Sequence, residues 1–225
     1  MISTRSSGTP RSAVVATKPR LRGVSHELAF MVSLILGPVL VASAATPTAR
    51  ASTAIYALCL AALFGCSALL HRGDWSPRAH PWMRRLDHSM IFVFIAGTYT
   101  PVAALSLPTQ TAMRIITAAW MGALAGVAVT VFWIGAPRWI TTACYLGVGW
   151  IAAIAIPQLW RDLDANQFAL LAIGGGLYSL GAVVYAQKRP DPWPQAFGYH
   201  EVFHALVIAA VACHYVLITG LARSA

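Results

Sequence analysis

His200 and His204 stand four residues apart in an apolar stretch near the end of the chain, and Ser67 and His71 stand four apart at the end of another. Residues four apart share a face of a helix, so such a histidine pair can offer two imidazole nitrogens to one ion. Zinc takes nitrogens of this kind at about 2.0–2.1 Å. With His71 as a third donor, the set would hold Zn2+ through three side chains and leave the fourth position to water. That is the pattern of a catalytic rather than a structural zinc site. Asp87 opens another apolar run and is placed to hydrogen-bond that water or to orient a ligand from just outside the metal. Ser67 either bonds back to its own helix or serves the same site.

These residues lie in a chain that a soluble fold cannot accommodate. Of its 225 residues, 58% are hydrophobic and 10% charged, with a mean hydropathy of +0.65. Soluble domains run at about 45–50% apolar and about 25% charged. The composition excludes a soluble enzyme, a disordered chain and a porin-like β-barrel, whose strands would alternate. It leaves an all-α integral membrane protein. Apolar segments at 27–46, 52–71, 86–107, 112–135, 139–158, 167–186 and 199–220 predict seven spanning helices, each near the roughly 20 residues a crossing needs. Pro38 and Pro101 are expected to kink their helices, because neighbours in a bundle satisfy the freed carbonyls, and Pro157 is expected to end the fifth. The glycine cluster Gly174-Gly175-Gly176 with Gly181 predicts close helix approach in the sixth.

Residues 1–24 are rich in Ser, Thr, Pro and Arg and read as a disordered basic cytoplasmic tail ahead of a membrane domain at 25–225. The formal charge of +9 is a topology signal rather than a nucleic-acid footprint. With the N-terminus inside, twelve Lys and Arg fall on the inner side and four on the outer, which predicts a cytoplasmic N-terminus and an external C-terminus. His71, Asp87, His200 and His204 then all lie at cytoplasmic helix ends, so three distant stretches converge on one membrane depth. Ionisable groups at such places are costly and point to function. His26, His80 and His88 read as polar caps. His214 is ten residues past His204, about 15 Å along a helix, too far for the same metal, and reads as an interhelical hydrogen bond or packing group. Cys59, Cys66, Cys144 and Cys213 show no C-x-x-C pair and read as small buried hydrophobes.

The stretch Ser67-Ala68-Leu69-Leu70-His71, then Leu86-Asp87-His88 and Ile95-Ala96-Gly97-Thr98-Tyr99-Thr100-Pro101, resembles the hemolysin III proteins. These are the bacterial branch of the progestin and adiponectin receptor (PAQR) family. The glycine stretch with Tyr178 and Gly181, and His200-Glu201-Val202-Phe203-His204, resemble the family's later motifs. The resemblance covers residues 26–220. It implies a seven-helix bundle with an inside N-terminus, a zinc ion on His71, His200 and His204, a water near Asp87, and Ser67 close by. It also implies kinship with membrane-embedded lipid amide hydrolases of the alkaline ceramidase type.

The leading expectation is therefore a zinc-dependent hydrolase of a membrane lipid amide or ester, with Asp87 as general base. Its partners are the bilayer and a lipid substrate or ligand, not nucleic acid. The alternative is a cytolytic or membrane-sensing protein in which zinc only staples helices. His200-Glu201-Val202-Phe203-His204 also matches H-E-x-x-H, in which the Glu would be the base. Against this, Glu201 sits where an acidic group suits a helix start. A b-type haem would need histidines facing each other across a gap, which the four-residue spacing does not supply.

Overall fold

The computed structural model describes residues 19–133 and 136–225. Most of the expected tail, residues 1–18, lies outside the described residues. The helices are α1 (Val24–Ser43), α2 (Pro47–Arg72), α3 (His80–Ser106), α4 (Thr109–Phe132), α5 (Arg138–Gly149), α6 (Ile156–Asp162), α7 (Ala165–Gln187) and α8 (Tyr199–Ser224). A 3-10 turn, Ile151–Ala155, joins α5 to α6. Counting α5 through α6 as one crossing, seven segments are long and apolar enough to span a membrane. Among the described residues there is no β-strand beyond one isolated bridge, Trp193 to Phe197.

Local signals start the helices where the apolar pattern begins. Thr46 caps α2, its hydroxyl accepting from Ala49 N–H at 3.2 Å, with Pro47 in the first turn. Asp164 and Gln167 form a reciprocal capping box on α7. Within the spans, hydroxyls bond back to carbonyls one turn earlier, as Thr53 does to Ala49 and Thr100 to Ala96. That satisfies them without water. Helix α3 begins at His80, six residues before the expected apolar run. Its first turns carry Arg84 and Arg85, which apolar patterning does not register.

Pro38 and Pro101 both lie inside helices that continue past them. Pro157 behaves differently from the expectation. It occupies the first turn of α6, where its missing N–H costs nothing, and the interruption falls earlier, at Gly149–Ala155. Tyr99 of α3 closes that break. Its hydroxyl donates to the Gly149 carbonyl at 2.6 Å and accepts from Ala152 N–H at 2.8 Å. Two backbone groups freed by the interruption are thereby paired inside the membrane.

Successive helices from α1 to α4 pack side by side, α7 packs on α8, and α8 returns to α1, closing the bundle. Helices α2, α3 and α8 carry most of the core, including Tyr56, Leu60, Phe64, Phe94, Leu217 and Ile218. They are also the helices that carry the chemistry. The chain just before α1 is tied to the α7–α8 connection, Arg20 N–H and Leu21 N–H donating to the carbonyls of Gln195 and Ala196 at 3.0 and 3.2 Å.

Candidate metal centre

His71 lies in the last turn of α2, and His200 and His204 in the first two turns of α8. The bundle brings them together. Nε2 of His71 and Nε2 of His200 are 3.0 Å apart. The His204 ring stands 4.4 Å from that of His200 and 5.3 Å from that of His71. One ligand nitrogen from each lies within 4.8 Å of the others, a group able to hold a metal ion. His200 and His204 are buried and His71 half-buried.

The donor set fits such an ion. Nitrogens bound tetrahedrally at about 2.0–2.1 Å stand roughly 3.3 Å from one another, close to the His71–His200 spacing. Nδ1 of His204 is buried with no hydrogen-bond partner among the described residues. A donor atom left without a partner in the interior needs a reason. Imidazole suits zinc, copper, iron and nickel. The facing His71 and His200 rings leave no gap for a porphyrin plane, which removes the haem reading.

His26, read from sequence as a cap, belongs to this site. Its ring is 3% exposed and stacks on His204 with centroids 3.6 Å apart and planes 9° from parallel. Its Nδ1 meets Ser67 Oγ at 2.8 Å. Ser67 therefore bonds across to α1 and not back into its own helix. The approach depends on Gly23, whose φ of +82° starts α1 and whose missing Cβ would fall 2.4 Å from Cβ of His71. Only glycine adopts that backbone and that proximity without strain. The shared-depth argument that found the other histidines also applies to His26 at the start of the first span.

Asp87, at the start of the third turn of α3, is buried and faces the same cavity as His26, Ser67, His200 and His204. It is not one of the clustered nitrogen donors; its Oδ2 lies 3.4 Å from His88 Nδ1. His88, also read as a cap, ties α3 to α7, with Nδ1 on the Arg84 carbonyl at 2.8 Å and Nε2 on the Tyr185 hydroxyl at 3.0 Å. His80 is exposed at the start of α3. His214 reaches across to α7, its Nε2 3.3 Å from the Leu171 carbonyl, as its distance along the helix predicts.

Glu201 has both oxygens engaged. Oε2 accepts from Gly198 N–H at 2.9 Å, and Oε1 pairs with Arg22 Nε at 2.6 Å. A carboxylate held at one oxygen by a helix start and at the other by a guanidinium is poorly placed to act as the base that an H-E-x-x-H spacing calls for.

His200 and His204, with His26 beside them, open onto a cavity of about 410 Å³. It runs between α2, α3, α5, α7 and α8 down to His214, with apolar walls that include Phe94, Val102, Leu171 and Phe203. All four cysteines are free.

Fold and site together define a multi-pass helical membrane protein with a tri-histidine group able to hold a metal ion at one end of an apolar internal cavity. Residues 14–215 match the family described as Haemolysin-III related, and the chain belongs to that family. It is 30% identical to Hemolysin-3 of Bacillus cereus over 167 residues, 74% of this chain and 73% of that protein. It is 30% identical to a Hemolysin-3 homolog of Bacillus subtilis (strain 168) over 164 residues, 73% of this chain and 74% of that protein. A more distant likeness, 29% over 150 residues, joins it to the heptahelical transmembrane protein ADIPOR3 of Oryza sativa subsp. japonica, covering 59% of this chain and 37% of that protein. The PAQR-type kinship expected from the motifs is thus found in the relatives.

Proposed function

We infer that the chain is a metal-dependent hydrolase of the membrane interior, acting on the amide or ester bond of a lipid, with zinc held by His71, His200 and His204. The observation that carries this reading is the position of the cluster, whose His200 and His204 lie in the wall of a 410 Å³ apolar cavity and are not sealed within packed side chains. A ligand site is expected to be concave and mostly apolar, with a few convergent polar groups. A lipid can lie along such a cavity with its polar bond at the histidines. When bound, zinc supplies Lewis acidity, polarising a carbonyl and making water nucleophilic near neutral pH.

The chain's own groups do the rest. A carboxylate oxygen of Asp87 accepts the proton of the attacking water and passes it to the departing nitrogen or oxygen. With its hydrogen on Nδ1, His26 donates to Ser67 Oγ, which leaves the Ser67 hydroxyl hydrogen for the substrate's carbonyl oxygen. The apolar walls exclude bulk water. The site lies near the cytoplasmic side of the cell membrane, because Arg22, Arg72, Arg78, Arg84, Arg85 and Arg138 gather at the histidine end of the bundle and basic residues mark the inner face.

Asp87→Asn keeps the shape and removes the base. Against a lipid amide, its rate should fall by about 10²–10⁴, while metal content measured by mass spectrometry stays at the wild-type level. A second reading takes the metal as a clasp between α2 and α8 in a membrane-damaging or membrane-sensing protein. The hemolysin descriptions of the two Bacillus relatives favour it. Unchanged activity in Asp87→Asn with metal retained would decide for the clasp.

A further inference from the structure

The cavity does not stop at the histidine cluster. Its wall follows α8 to His214, ten residues beyond His204 and about 15 Å deeper into the membrane. There it turns polar again. His214 is 6% exposed, and its Nε2 hydrogen goes to the Leu171 carbonyl. Nδ1 is then a bare acceptor, and it is buried with no partner among the described residues. The Tyr178 ring, on α7, stands 5.4 Å from the His214 ring and lines the same cavity. Its hydroxyl is likewise buried and unpartnered among the described residues.

The pair is held in place by the backbone. Gly174, one turn before Tyr178, lies against the His214 ring, so that a Cβ there would come within 2.4 Å of it. Two complementary polar groups left unmatched at lipid depth are costly. A purely hydrocarbon occupant would leave them so.

We propose that His214 Nδ1 and the Tyr178 hydroxyl form a second recognition point, binding a hydroxyl carried on the apolar body of an amphiphile about 15 Å from its head. The ligand hydroxyl donates to Nδ1 and accepts from the tyrosine. This rests on the reading of the histidine cluster as the head site. With carbon–carbon bonds of about 1.5 Å, a zigzag chain covers roughly 14 Å between its first and twelfth carbons. A hydroxyl near the twelfth carbon of a fatty chain therefore reaches the pair.

The test uses stearate and 12-hydroxystearate as competitors of a pyrene-labelled fatty acid on the detergent-purified full chain. In wild type the hydroxylated chain should bind roughly tenfold tighter than in Tyr178→Phe, while stearate binds both alike. Comparing each ligand across proteins cancels its partition into detergent. His214→Gln is the second variant. Its amide nitrogen keeps the bond to Leu171 and its side chain lacks the Nδ1 acceptor, so it should lose the same preference. If stearate binds and 12-hydroxystearate gains nothing from either residue, as when a trapped water already bridges the pair, the recognition point is overturned and the amphiphile cavity stands. If neither chain binds, the reading of the cavity falls and this proposal falls with it.

Discussion

Replacing Glu201 by Gln isolates what that buried carboxylate does. The amide oxygen can still accept from Gly198 N–H, and the side-chain volume is unchanged. What disappears is the negative charge 2.6 Å from Arg22 Nε. Glu201 is 2% exposed and the Arg22 side chain 19%, so water cannot fully replace the lost partner. Breaking a wholly buried ion pair costs about 3–5 kcal/mol. Because Arg22 keeps some contact with solvent, the cost falls below that range, and Glu201→Gln should destabilise by about 1–3 kcal/mol. Thermal unfolding of wild type, Glu201→Gln, Arg22→Gln and the double variant forms a cycle whose coupling energy should exceed about 1 kcal/mol. Metal content should persist in the folded fraction. A coupling below about 0.5 kcal/mol, or Glu201→Gln abolishing turnover at unchanged stability, would refute the assignment of Glu201 to the helix start and return it to the chemistry.

Metal bound by the purified protein should be lost or strongly weakened in His71→Ala, His200→Ala and His204→Ala, and kept in His214→Ala. The reverse pattern, read by mass spectrometry, would displace the site. Gly126→Ala would bring a Cβ within 2.3 Å of the Phe92 ring and should destabilise by about 1–3 kcal/mol, whereas Gly175→Ala, with nothing within 4 Å, should not. Unfolding midpoints of equal depression in both would sink the packing argument. A reporter active only outside the cell, fused after Ala225, should be active; silence there with a cytoplasmic reporter active would invert the orientation.

The sequence revealed the fold more fully than the site. Twenty-residue apolar runs have few structural solutions, so seven crossings were legible from hydropathy alone. The edges were not, because polar first turns such as Arg84 and Arg85 carry no apolar signal. The break in the fifth crossing was not legible, since Pro157 looks like a terminator and the contact that accommodates the break, Tyr99 on the Gly149 carbonyl and Ala152 N–H, joins distant helices. His71, His200 and His204 were legible because helical spacing and shared depth both applied. His26 escaped because it has no partner at four residues' spacing. Its stacking on His204, and the left-handed Gly23 packed against His71 just before it, are displayed only by the folded chain. The unpartnered Tyr178 hydroxyl was invisible for the same reason, as burial without a partner is a property of packing.

The interrupted fifth crossing bears on how the protein is made. Helix α5 has 12 residues and α6 has 7, so at about 1.5 Å per residue they extend roughly 18 and 10 Å, each short of the roughly 30 Å hydrocarbon layer. Neither is a competent crossing by itself. The carbonyl and amide exposed between them are matched by a hydroxyl that arrives on α3. Biogenesis therefore has an order of dependence, in which the fifth segment can enter the lipid but reaches its final shape only once the third is already in the bilayer and turned toward it.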